Sequence, residues 1–181
     1  ITQRDVKRML AYSSIAHAGF LLAGVIALSK PGLDSSIFYL FAYGIATLGA
    51  FAVVTLVRDS AGEVTDLNRW SGLGKRSPLI ASVFSLYLLT FAGIPLTSGF
   101  IGKFSIFSAA YESGAKGVVI AGVLSSAIAA FFYIRVIVLM FFTDATEDGT
   151  GVEVPSILTR STIVIAGVVT LALGIYPAPL L

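Results

Sequence analysis

The sequence predicts an all-α, polytopic membrane helix bundle of five transmembrane helices, with the third broken at Pro95. Three observations carry this expectation. Of 181 residues, 56% are hydrophobic and 12% charged, and the charged share is about half that of a soluble domain. The charges cluster, so five long apolar runs stand between polar stretches. A helix crosses a bilayer core with about 20 residues, and the runs are of that order, whereas membrane strands alternate and are about 10 residues long. This composition excludes a soluble globular domain and a disordered chain. A net charge of +2, with no basic stripe among aromatics, gives no footprint for nucleic acid. Without cysteine, the chain cannot supply disulfides, iron–sulfur ligands or a thiol nucleophile.

In order, the first run covers about residues 6–28 and is stopped by Lys30-Pro31-Gly32. The second covers about 36–57 and ends at Arg58-Asp59-Ser60. A hydrophilic loop, 58–76, holds the only tryptophan, Trp70. The third run, 77–111, contains Gly93, Pro95, Gly99 and Gly102 in its middle. Proline removes a backbone donor and clashes with the preceding turn, and glycine lowers the cost of leaving helical geometry. The fourth covers about 117–142. An acidic, Gly-rich loop, 143–153, leads through Pro155 to the fifth, about 158–175, which ends at Tyr176-Pro177 and Pro179. Residues 1–181 read as a single membrane domain. The polar start after Ile1 lacks the apolar core of a signal peptide and predicts that an N-terminal part of the protein precedes it.

Lysine and arginine set the expected orientation. Five spans in series put Arg4, Lys7, Arg8, the 58–76 loop and Arg160 on one side, leaving Lys30 and Lys116 on the other. Positive residues accumulate in the cytoplasm, so both long loops are expected there and the C-terminus outside.

Lys103 is the first candidate for chemistry, because it follows the helix breakers with apolar residues on both sides. An ammonium there costs about 2.5 to 3.5 kcal/mol on insertion scales, and ionisable residues within spans mark ion paths by default. A lysine balanced between burial and a nearby carboxylate or water chain can gain and lose a proton near neutral pH. The alternative is a kinked span whose lysine snorkels to the interface. His17, the only histidine, lies half-way through the first span on a stripe with Lys7, Ser14 and Gly24, flanked by Ser13. Such a stripe faces a bundle interior, where histidine suits a proton relay, or a hydrogen bond that only aids packing. Neither a second histidine nor a spaced carboxylate accompanies it as a metal ligand.

In the fourth run Gly122, Ser126, Ala129 and Tyr133 share one face, and Gly122 and Ser126 form a small-xxx-small pair that reads as close packing. Tyr133 could also hydrogen-bond in a polar axis. Arg135 is placed to snorkel toward the loops. Asp144, Glu147, Asp148 and Glu153 read as a solvated surface, since their spacing is not that of an EF-hand loop. Gly72-Leu73-Gly74-Lys75 is too short for a phosphate loop.

Two stretches resemble one family. Asp5-Val6-Lys7-Arg8-Met9-Leu10-Ala11-Tyr12-Ser13-Ser14-Ile15-Ala16-His17-Ala18-Gly19 is similar to the Lys-Arg-Leu-(Leu/Ile)-Ala-Tyr-Ser-Ser-x-x-His-x-Gly signature of the antiporter-like membrane subunits of respiratory complex I. Ala92-Gly93-Ile94-Pro95-Leu96-Thr97-Ser98-Gly99-Phe100-Ile101-Gly102-Lys103-Phe104 resembles the broken-helix signature of the same family, and Lys103 followed by Phe104 most resembles its N branch in bacterial NADH:quinone oxidoreductase. The resemblance covers essentially the whole chain. It implies the last five helices, ten to fourteen, of a fourteen-helix fold built on two inverted five-helix repeats. It further implies that Lys103 is the terminal proton station toward the outer face, with His17 a bridging residue. The family's glutamate on helix five and lysines on helices seven and eight have no counterpart here.

The expected function is that of a proton-translocating subunit in a bacterial inner membrane, driven by quinone reduction elsewhere in the complex. The chain would bind no cofactor or metal itself, with quinone, FMN and iron–sulfur clusters held by other subunits. Its partners would be other membrane-arm subunits and the lipid bilayer. The close alternative is a subunit of a multisubunit sodium/proton antiporter or a membrane-bound hydrogenase. The alternative of another class is a structural membrane subunit with no ion path.

Overall fold

A computed structural model describes residues 2–144 and 150–178. Among these, four helices are long and apolar enough to cross a membrane: α1 (Val6–Ile26), α2 (Lys30–Val54), α6 (Lys116–Phe142) and α7 (Ile157–Ile175). The run expected as one interrupted span is two 15-residue helices, α4 (Pro78–Ala92) and α5 (Ser98–Glu112). At 1.5 Å per residue each is about 22 Å long, short of a bilayer core of about 30 Å. A short helix, α3 (Leu73–Arg76), precedes α4.

Lys30-Pro31-Gly32 does not end the first helix by itself; it opens the second. Ser29 caps α2 through its hydroxyl, which accepts from Gly32 N–H at 3.2 Å, and Pro31 lies in the first turn. Proline is tolerated there because a first-turn N–H has no intrahelical partner to lose. The turn itself is made by Leu28, at φ 47°.

α2 is the central rod and packs against α5, α7, α1 and α4, while α4 lies on α6. Large apolar side chains such as Ile15, Leu22, Leu48, Phe104, Leu124 and Ile165 cover the outside. Helices hydrophobic all round belong in lipid.

The loop expected to be merely hydrophilic is instead folded against the helix ends. β1 (Val57–Asp59) pairs antiparallel with β2 (Gly62–Glu63) and β3 (Gly151–Val152), in the order β2-β1-β3. Trp70, in a 3-10 turn at Leu67–Trp70, is fully buried; its indole N–H donates to the Val64 carbonyl at 2.8 Å and its ring packs on Phe84. The Arg76 guanidinium donates to the carbonyls of Arg69, Ser71 and Thr150, tying both loops to the start of α4. Asp5 caps α1 by accepting from Arg8 N–H at 2.9 Å, and its second oxygen accepts from the Thr65 hydroxyl at 2.6 Å. Lys75 pairs with Asp144 and Arg58 with Glu153 on the exposed surface; Glu147, Asp148, Ile1 and Pro179 lie outside the described residues.

Candidate functional site

The break between α4 and α5 creates the first half of the site. α4 ends at Gly93, which adopts φ 80°, a left-handed conformation that glycine reaches without steric cost. Gly93 N–H and Ile94 N–H both donate back to Leu89, closing the end of the helix. Thr97 then caps α5, its hydroxyl oxygen accepting from Phe100 N–H while its O–H donates to the Ile94 carbonyl at 2.7 Å. α5 begins hard against α4: a Cβ at Gly99 would overlap the Thr90 carbonyl oxygen.

Two carbonyls at the end of α4 lose their helical partners in this geometry. In a continuous helix the Phe91 carbonyl accepts from position 95, which is proline and has no N–H. The Ala92 carbonyl would accept from Leu96, which instead turns to φ 71°. Lys103, one and a half turns into α5, fills the gap. Its Nζ donates to Phe91 O at 2.7 Å, to Ala92 O at 3.3 Å and to Ser126 Oγ of α6 at 2.9 Å. The side chain is 5% exposed, and Nζ lies 4.9 Å from the centre of the Phe20 ring. An ammonium at a helix C-terminus also meets the negative end of the helix dipole. Hydrogen bonds to charged groups contribute about 1.5 to 3 kcal/mol each, so three are of a size to offset the insertion cost of a charge. Lys103 therefore does not snorkel. Outside it, a cleft of about 310 Å³ between α5 and α6 is lined by Phe100, Phe104, Phe107, Val123 and Ser126 among others.

The second half is a histidine held between two tyrosines. His17, 1% exposed, has its Nδ1 2.6 Å from the Tyr39 hydroxyl on α2 and its Nε2 3.1 Å from the Tyr133 hydroxyl on α6. A neutral imidazole carries one N–H, so one tyrosine accepts from the ring and the other donates to it. Exchanging the tautomer along this row requires one proton to enter at one tyrosine hydroxyl and another to leave at the other, so that both hydroxyls stay neutral. Tyr43 stacks on the imidazole with ring centres 4.1 Å apart and donates to Ser14 Oγ at 3.0 Å. Ser13 and Ser14 both donate to the Leu10 carbonyl. Lys7, expected on the same stripe, turns to Glu63 in the loop.

Phe20 and Phe91 join the two halves. Each ring lies 5.7 Å from the imidazole; Phe20 also faces the Lys103 ammonium, and the Phe91 carbonyl accepts from it. Ser126 and Tyr133, two turns apart on α6, thus reach the lysine and the histidine respectively. Ser126 does more than the close packing expected of it, whereas Gly122 packs against Phe107. Tyr39 and Tyr43 were not anticipated. Their i,i+4 spacing inside an apolar run was the available signal. Ser98 Oγ and Thr170 Oγ1 are buried with no hydrogen-bond partner among the described residues. Among those residues no group of three or more His, Cys, Asp or Glu could hold a metal ion.

Residues 1–129 match the family described as NADH:quinone oxidoreductase/Mrp antiporter, TM. The sequence is 64% identical over 177 residues to NADH-quinone oxidoreductase subunit N of Rhodococcus opacus, covering 98% of this chain and 33% of that protein. It is 66% identical to subunit N 3 of Streptomyces griseus, covering 98% and 32%. The chain spans about a third of the length of the curated relatives it matches. Its fold is similar to a chain of respiratory complex I from Thermus thermophilus, solved with bound aureothin: the TM-score is 0.83 at 33% identity, over 98% of this chain and 39% of the other. With the family matching well over half its length, the chain belongs to the NADH:quinone oxidoreductase/Mrp antiporter transmembrane family.

Proposed function

We propose that this chain forms one membrane domain, the C-terminal part of a proton-translocating subunit of a bacterial NADH:quinone oxidoreductase. The observation that carries the reading is Lys103, an amine buried on carbonyls that the helix break releases and joined through Phe20 and Phe91 to the Tyr39–His17–Tyr133 row. In this reading Lys103 exchanges a proton between the bundle interior and the outer side, and His17 passes protons toward it. Ser98 and Thr170 are buried hydroxyls that water would satisfy. Quinone, FMN and iron–sulfur clusters belong to other subunits, and the partners are neighbouring membrane-arm subunits.

Chain topology supports α4 and α5 as one broken crossing and five crossings in all. β1 and β3 pair, so the loops that carry them share one end of the bundle. The chain between them must cross an even number of times. α6 crosses once, so α4 and α5 together make a net single crossing. The N-terminus joins the same end through the Asp5–Asp66 bridge, bringing Arg4, Arg8, Arg58, Arg69, Lys75 and Arg76 together there, which supports a cytoplasmic placement and an outward C-terminus.

A structural role is the second reading, because three acceptors already satisfy the ammonium. A sodium/proton antiporter or membrane-bound hydrogenase subunit would use the same site with other partners. The test is proton pumping by vesicles holding the complete complex with Lys103→Ala. Lost pumping at normal assembly and quinone reduction supports the proposal; undiminished pumping removes Lys103 from any proton path.

A further inference from the structure

Lys103 has three hydrogen-bond partners among the described residues, and one differs in kind from the other two. Phe91 O and Ala92 O are carbonyls, which only accept. Ser126 Oγ, at 2.9 Å on α6, belongs to a hydroxyl, which accepts or donates by rotating about its C–O bond. An ammonium has three N–H groups and matches three acceptors. A neutral amine has two N–H groups and one lone pair, so it matches two acceptors and one donor. Two carbonyls and a hydroxyl satisfy either form, on the condition that the hydroxyl hydrogen is free to turn.

That freedom is present at Ser126 and absent at comparable positions. Serine and threonine within a helix can commit their hydrogen to the carbonyl one turn back. Ser85 donates to Ala81 O, Thr90 to Leu86 O and Ser161 to Ile157 O in this way. Ser126 makes no such bond among the described residues; its Oγ is engaged with Lys103 alone. We infer that Ser126 is a positioning residue for the lysine, a two-way hydrogen-bond partner that holds Nζ between α4 and α6 in both of its protonation states. On deprotonation one N–H bond breaks and its proton leaves on a water molecule. The electron pair left on Nζ accepts from the Ser126 O–H, while the two remaining N–H groups stay on Phe91 O and Ala92 O. Reprotonation reverses each step. A third carbonyl in place of Ser126 would oppose the lone pair of the amine, and an alkyl group would leave both forms one partner short.

This inference rests on the reading that Lys103 exchanges protons. The test is proton pumping per quinone reduced, followed across pH in vesicles holding the complete complex, for Ser126→Ala and Ser126→Thr beside Lys103→Ala. The titratable groups around the lysine are unchanged in the serine variants: His17 on α1, Tyr39 on α2 where it packs on Gly102, and Tyr133 on α6. On the α4 side Tyr87 is held by the Ile163 carbonyl of α7. Ser126→Ala should assemble normally and lower pumping about fivefold across the pH range, because both forms lose one hydrogen bond. Ser126→Thr keeps the hydroxyl, and its extra methyl has the cleft of about 310 Å³ that Ser126 lines, so it should restore most of the pumping. A residue that only packs would give the reverse order, with alanine tolerated and threonine damaging, which overturns the inference. A profile for Ser126→Ala that keeps its height and moves along the pH axis would mean that the hydroxyl serves one form only, which overturns it as well. Lost pumping in Lys103→Ala with wild-type pumping in Ser126→Ala overturns the part given to Ser126 and leaves that of Lys103 standing; undiminished pumping in Lys103→Ala overturns both.

Discussion

Lys103 and His17 are both buried ionisable residues, yet their surroundings are built in opposite ways. The lysine is held mainly by backbone: two carbonyls exist as acceptors only because Gly93, Pro95 and Leu96 end α4. The histidine, on α1, is held by side chains of two other uninterrupted helices, α2 and α6. A backbone site depends on the conformation of the chain and tolerates little change in the glycines and the proline that shape it. A side-chain site can lose one hydroxyl and keep its fold. The difference separates variants that break the bundle from variants that test the proposed proton transfer alone.

The largest effect should come from Gly99→Ala, because the added methyl overlaps the Thr90 carbonyl of α4. Overpacking of this kind costs roughly 1 to 3 kcal/mol. The expected result is a lower midpoint for thermal unfolding in detergent, with loss of assembled complex. Pro95→Ala should do less, since Gly93 and Thr97 still hold the two helix ends, and near-normal assembly would mark the break as over-determined.

At the histidine, Tyr133→Phe leaves one ring nitrogen without its partner, at a cost of about 1 to 3 kcal/mol. Assembly should survive while pumping falls. Combining it with Tyr39→Phe should be non-additive in a double-mutant cycle, because both hydroxyls serve one imidazole. Strict additivity in pumping would mean that the row does not act as a unit.

The smallest effect lies outside the membrane, at Asp5. Partial burial raises its carboxyl, but the Thr65 hydroxyl, Arg8 N–H and the Arg8 charge outweigh this and hold it below the ordinary carboxylate value. A group depressed on folding stabilises the fold above its unfolded value of about 3.9 and loses that contribution as pH falls through the folded one. Asp5→Asn keeps a capping oxygen and removes only the charge, so it should cost less than the roughly 1 kcal/mol of a lost cap near neutral pH, and the two proteins should converge in stability on acidification below about pH 4.

Much of this architecture is legible in the residues. Uninterrupted apolar length marks α1, α2, α6 and α7, and the conjunction of Gly93, Pro95 and Gly99 marks where α4 and α5 part. Lys103 stands out because no residue near it offers another reason for a charge. What escapes is tertiary. Lys30-Pro31-Gly32 looks like a stop, and only Ser29 acting as a cap makes it a start. Ser126 looks like a small packing residue until α5 brings an ammonium beside it. Trp70 sits in a polar loop, yet the loop folds it under the helix ends. Tyr39 and Tyr43 read as ordinary aromatics of an apolar run, because their partner, His17, is on another helix.

The central claim is that Lys103 titrates, and Lys103→Arg tests it most directly. Arginine keeps the charge and the donors but cannot be deprotonated in a protein. Proton pumping per quinone reduced, measured in vesicles with the assembled complex, should fall as far with Lys103→Arg as with Lys103→Ala. Pumping that arginine sustains at the wild-type ratio would show that the charge only anchors the break, and would contradict the account.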